Sequence, residues 1–121
     1  MCLTLWLDPR VRREPGLAEA AQLFKVLGHE SRLWLLRIIG EQPRSVGALA
    51  DATGMSQPLV SQHLRSLRQA GLVTATRSGK EVTYAMADVH VSHVVADALA
   101  HVLESRAAGV ATAAPRKEET A

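Results

Sequence analysis

Between residues 88 and 104 the run DVHVSHVVADALAHVLE holds three histidines and three carboxylates. At helical spacing His90, His93, Asp97, His101 and Glu104 fall on one stripe. Val91, Val95, Ala98, Leu99 and Val102 form an apolar face, with Val94 at its edge. Imidazole nitrogen and carboxylate oxygen are the donors that zinc accepts when no thiolate is offered. His90 and His101 are eleven residues apart, roughly 16 Å along a straight helix. One zinc ion, with ligands at about 2.0–2.2 Å, cannot touch both from one chain. Either the stripe is a solvated face, or a second copy of the helix completes the site.

The elements that would position this helix follow from the rest of the chain. Its 121 residues make one domain with a modest core, built mainly from Leu, Val and Ala, since aromatics are only 3%. A chain of this size often gains stability by pairing with a copy of itself. The net charge is only +2, but from Met55 to Lys80 there are Arg65, Arg68, Arg77 and Lys80 and no acid. Cys2 is the only cysteine, which excludes an internal disulfide and any site needing two thiolates from one chain. That fits a cytoplasmic protein. The start lacks a signal-peptide layout, and no run reaches transmembrane length, so no membrane partner is expected.

The expected fold is mainly α, within the α+β class: a winged helix-turn-helix of about five helices and one β-hairpin. Residues 1–15 read as a flexible arm with the basic cluster Arg10, Arg12 and Arg13, either solvated or in contact with phosphate. Residues 16–106 form the DNA-binding and dimerisation domain, and residues 107–121 a disordered tail. LAEAAQLFKVL is an amphipathic helix ending at Gly28. The next spans about 30–41, with Leu33, Leu36, Ile39 and neighbours facing the core. Ser45 can cap VGALADAT, which Gly54 ends. Ser56 can cap QPLVSQHLRSLRQA, where Pro58 is tolerated in the first turn and Gly71 closes the helix. LVTATR and EVTYAM form a hairpin around Ser78-Gly79-Lys80.

Helix, short turn, helix is the layout that sets a second helix in the DNA major groove. On that helix Val60, Leu64 and Leu67 share the inward side. Gln57, Ser61, Arg65 and Arg68 share the other, with Gln62 beside them and Ser56 at the helix start. Gln can bond adenine, Arg can read guanine, and Ser can meet base or phosphate. An ordinary solvated face would carry the same types; the turn, the hairpin and the acid-free stretch favour DNA. Arg77 and Lys80 flank the hairpin tip, where they meet phosphate unless the tip is merely solubilising. His63 falls nearer the apolar side, which favours a packing or hydrogen-bonding role over base contact.

Three runs, LGHESRLWLL, VGALADATGMSQPLVSQHLRSLRQAGLV and TRSGKEVTYAM, resemble the ArsR/SmtB family of winged-helix metal-sensing repressors, over about residues 17–106. The resemblance implies a homodimer joined through its first and last helices, bound to double-stranded operator DNA, whose affinity falls when metal binds. The family's thiolate site needs cysteines where this chain reads RSVGALAD, so that site is absent. The family's last-helix pattern is Asp-x-His, ten residues, then His-x-x-Glu or His-x-x-His. Asp88, His90, His101 and Glu104 match it, and the closing acid is the variant associated with zinc sensors.

Two copies of the helix running antiparallel would make two equivalent Zn2+ sites per dimer. Each would take Asp88 and His90 from one chain and His101 and Glu104 from the other. Asp88 could instead be only a helix cap, and one carboxylate can do both. His93 and Asp97 lie outside the pattern, beside the ligands or solvated. No histidine follows His101, which favours zinc, although a cobalt- or nickel-responsive or a non-metal-responsive repressor stays open. A zinc hydrolase is disfavoured because HExxH is missing. A DNA-packing module with a vestigial metal site is the remaining reading. Cys2 is either incidental or an added soft ligand.

Overall fold

The computed structural model describes residues 14–107 and 109. The chain runs α1 (Leu17–Leu27), α2 (Glu30–Glu41), β1 (Arg44–Ser45), α3 (Val46–Thr53), α4 (Gln57–Gln69), β2 (Val73–Ser78), β3 (Glu81–Met86) and α5 (Val89–Ala107). The basic cluster at residues 10–13, Cys2 and nearly all of the expected tail lie outside the described residues. The last helix runs one residue past the expected end at 106.

The central element is α2, which touches α1, α3, α4, α5 and β3. It can do so because Leu35, Leu36 and Ile39 are all buried. Two consecutive buried leucines widen the apolar face beyond a single stripe, so the helix has neighbours on several sides. Leu33, expected in the core, is only half-buried. The helix begins at His29, whose Nδ1 accepts a hydrogen bond from the Ser31 N–H at 3.2 Å. An imidazole nitrogen here does what a Ser or Asp oxygen does at other helix starts.

The sheet has three antiparallel strands in the order β1-β3-β2, where two were expected. Arg44 pairs with Tyr84 and Ser45 with Thr83. A two-residue strand between two helices has no alternation to read, so its pairing is decided by where β3 lies. The β2–β3 register runs from Val73 opposite Met86 to Ser78 opposite Glu81. Ser78 therefore belongs to its strand, and the loop is Gly79-Lys80 alone. Gly79 has φ of 65°, which suits a two-residue turn matched to strand twist.

The core lies where α2, α3, α4 and the base of the hairpin meet. Leu35, Leu49, Val60, Leu64, Leu67 and Leu72 are fully enclosed there. His63 is the one buried polar side chain among the described residues. Its ring stacks obliquely on His29, with centroids 4.7 Å apart, and its Nδ1 is buried without a hydrogen-bond partner. This is the packing role expected for it. Burial first, then the neighbouring His29 and Arg32, hold its pKa below the ordinary imidazole value of 6.5.

Replacing Leu64 by Ala removes a fully buried side chain and should cost about 2–5 kcal/mol of unfolding free energy, measured by urea titration. His63 adds a pH term. Its proton is taken up more readily by the unfolded chain, so its contribution is intact above pH 6.5 and erodes as pH falls through 6.5 toward the depressed folded value. The urea midpoint should therefore drop between pH 7.5 and 5.5 by less in His63→Gln than in the parent. Equal drops would mean that another group causes the acid sensitivity.

Candidate nucleic-acid interface and metal-ligand helix

The turn between α3 and α4 is pinned on both sides. Ser45 Oγ accepts from the Ala48 N–H at 3.1 Å and so starts α3. At the other end Thr53 Oγ1 donates to the Leu49 carbonyl at 2.8 Å and accepts from the Met55 N–H at 3.2 Å. Gly54, with φ of 79°, closes α3 through its N–H to the Ala50 carbonyl at 2.8 Å. Ser56 Oγ then accepts from the Leu59 N–H at 3.3 Å and opens α4. At the far end Gly71 has φ of 77°. Its N–H reaches the Arg68 carbonyl at 3.0 Å, and the Leu72 N–H reaches Leu67 at 2.9 Å. Those two bonds form a Schellman closure. Both caps of the expected reading helix are thus intramolecular.

Rotation of α4 is fixed by Val60, Leu64 and Leu67, each with 0% exposure. At about 100° per residue, Gln62 and Arg65 then lie nearly opposite the buried stripe. Gln57, Gln62, Arg65 and Arg68 are exposed, and Ser61 is half-buried on one flank. Gln57 and Arg68 sit nearer that flank than the pole. The Gln57 amide nitrogen would lie 3.8 Å from a Cβ on Gly47, so this side chain leans over the first turn of α3. The expected set is therefore gathered on one side, but its centre is Gln62 and Arg65. Leu59 is also exposed on this helix, at 39%. It is not among the expected reading residues, which are all polar or charged. Its position off the Val60–Leu64–Leu67 stripe was the available signal, and an apolar group there suits a thymine methyl.

In the hairpin, Arg77 and Lys80 are both exposed at the tip. Glu81 follows directly and pairs across from Ser78. The acid-free stretch therefore ends at the tip itself, where Glu81 follows Lys80 and lies on the face of the hairpin opposite Arg77.

The ligand-type residues are carried by α5. Asp88 precedes it and caps it, Oδ1 accepting from the Val91 N–H at 3.1 Å. Val91 and Val95 are buried and Leu99 half-buried. His90, His93, Asp97, His101 and Glu104 are all exposed on the opposite side. The apolar face, however, divides. Val102 is 50% exposed and Ala98 is also exposed, contrary to the expected core face, and Val94 and Leu103 are exposed too. The core of one chain takes up α5 at Val91 and Val95, with Leu99 packed at its edge, and among the described residues buries no apolar side chain beyond it. Within a single chain, no three His, Cys, Asp or Glu side chains among the described residues come together as a metal-holding group. Among the same residues no helix is long and apolar enough to cross a membrane.

Residues 29–75 match the family profile described as bacterial regulatory protein, arsR family. The HTH-type transcriptional repressor SmtB of Mycobacterium tuberculosis is 46% identical over 88 residues, or 73% of this chain. Those residues are 65% of that protein, so the chain spans just under two thirds of this relative. The HTH-type transcriptional regulator NmtR of the same organism is 38% identical over 84 residues, 69% of this chain and 70% of its own. A solved homodimeric winged helix-turn-helix DNA-binding domain from Mycobacterium bovis, a possible ArsR-family transcriptional regulator, superposes with a TM-score of 0.68 at 30% identity. It covers 78% of this chain and 89% of that one. A likeness that reaches well beyond the helix-turn-helix means that the chain belongs to the ArsR family of bacterial regulatory proteins, which are DNA-binding transcriptional regulators and not enzymes.

Proposed function

We propose that the protein is a cytoplasmic, homodimeric repressor that binds double-stranded operator DNA and releases it when zinc binds at sites shared between the two last helices. The observation that carries this reading is the two-sidedness of α5. Its buried side is used within the chain, while its opposite side presents His90, His101 and Glu104 to solvent, with Asp88 exposed at its start. The apolar side chains exposed along α5, Val94, Val102 and Leu103, with Leu17 and Phe24 on α1, offer apolar surface that a second copy would cover.

The donor set fits zinc: two imidazoles and two carboxylates, all accessible. Asp88 spends Oδ1 on the helix cap, which leaves its other oxygen for ligation. His90 and the Asp88 carboxyl share one end of α5, and His101 and Glu104 share the other. In an antiparallel pair each end meets the opposite end of its mate, so His101 and Glu104 of the partner subunit would complete each site. Bound zinc would supply a charged tie between donors of two chains. A factor by which zinc lowers operator affinity must equal the factor by which operator lowers zinc affinity, typically about 1–3 kcal/mol of coupling. Cobalt or nickel would engage the same donors, and a non-metal signal is the alternative within the family.

On the DNA side, Gln62 and Arg65 are the central readers, with Ser56, Gln57, Ser61 and Arg68 around them. Arg77 and Lys80 hold phosphate at the wing. Arg65→Ala should weaken operator binding by about 1–3 kcal/mol in a gel-shift titration and leave the sedimentation coefficient of the protein unchanged. An unaltered operator affinity removes Arg65 from the interface. His101→Ala should bind operator as the parent does but fail to be released by zinc. A variant released at the same zinc concentration as the parent would sink the assignment of the metal site while leaving the DNA-binding reading intact.

A further inference from the structure

Away from the reading face and the α5 stripe, a cleft of about 400 Å³ opens between α1, the start of α2 and the last turn of α4. Lys25 and Arg32 give it two cations, and Gln22, Ser66 and Gln69 give it neutral polar groups. None of its lining residues is acidic. Arg32 is half-buried. Its Nη1 donates to the Val26 carbonyl at 3.3 Å, which fixes the guanidinium at the edge of the cleft. Its Nε is buried and has no hydrogen-bond partner among the described residues. That buried N–H faces protein and not the cleft; the atoms by which Arg32 lines the cleft are accessible, and a pinned guanidinium there offers an anion a charge-assisted bond.

We propose that this cleft is a binding site for a small oxyanion of the phosphate class, held by Arg32 and Lys25 with hydrogen bonds from Gln22, Ser66 and Gln69. Two sources offer that chemistry: a diffusible anion, or a phosphate of the operator backbone. The cleft joins α1 to the last turn of α4, so its occupant touches the reading helix at its C-terminal end, through residues that are not assigned to DNA reading. The site is independent of the metal reading, since none of its residues lies on α5.

The test has two arms on the full chain. In the first, inorganic phosphate is titrated into the DNA-free protein while the backbone amide resonances of Lys25, Arg32, Ser66 and Gln69 are followed. A saturable shift is expected, weakened about tenfold in Arg32→Gln. Lys25→Gln should weaken it as well, and this exposed residue can be changed without touching the Arg32–Val26 contact. In the second arm, operator affinity is measured across a salt series for the parent and Lys25→Gln. A saturable shift supports the site, and an unchanged salt slope then assigns it to a diffusible anion. No shift, with a slope smaller by about 0.9 in Lys25→Gln, assigns the cleft to backbone phosphate. No saturable shift and no change in slope overturns the proposal, as does a shift that is identical in both variants.

Discussion

Burial of the Val60–Leu64–Leu67 stripe is the constraint on which the rest of the molecule depends. These three side chains lose all exposure against α2 and α3, and each full burial contributes about 1.5–3 kcal/mol. Their joint burial does more than stabilise. A helix with three enclosed residues on one side cannot rotate without exposing them, so the direction of Gln62 and Arg65 is set by packing on the far side. The caps at Ser56 and Gly71 remove the remaining freedom along the axis. The proposed reading of DNA by this helix therefore rests on apolar contacts that face away from the reading side.

The last helix obeys a different rule. It is longer than the surface one chain can offer it: nineteen residues, of which Val91 and Val95 are buried. Its second half leaves Val102 and Leu103 in solvent, although their types and spacing are those of a core face. An apolar strip beside a stripe of imidazoles and carboxylates makes sense when another surface covers the one and shares the other. The same length separates His90 from His101, so a site using both ends must recruit a second chain. The proposed pairing and the proposed ligation thus draw on one geometric fact.

Much of this was legible in the residues. Glycines at positions 54 and 71 have positive φ, and serines at 45 and 56 accept the first hydrogen bonds of their helices. Such local rules need only a few neighbouring residues, so the sequence exposes them. The strand Arg44–Ser45 was not legible. Two residues carry no period, and their pairing with Thr83 and Tyr84 depends on a hairpin nearly forty positions away. The capping role of His29 was equally hidden, because an imidazole at a helix start is indistinguishable by type from any surface histidine.

By itself the sequence determined the order of helices and strands, the inward side of α4, and the presence of four ligand-type residues at both ends of one helix. Those follow from periodicity and capping, which are local. Only the tertiary structure decided that Ser61 is half-buried while Gln62 and Arg65 are exposed, since that depends on which neighbours α4 leans against. It also decided that Ala98 and Val102 stay in solvent, because burial needs a surface opposite and one chain supplies none there. The cleft of Lys25, Arg32, Ser66 and Gln69 belongs to the same class: its residues lie on three helices, and only packing makes them neighbours.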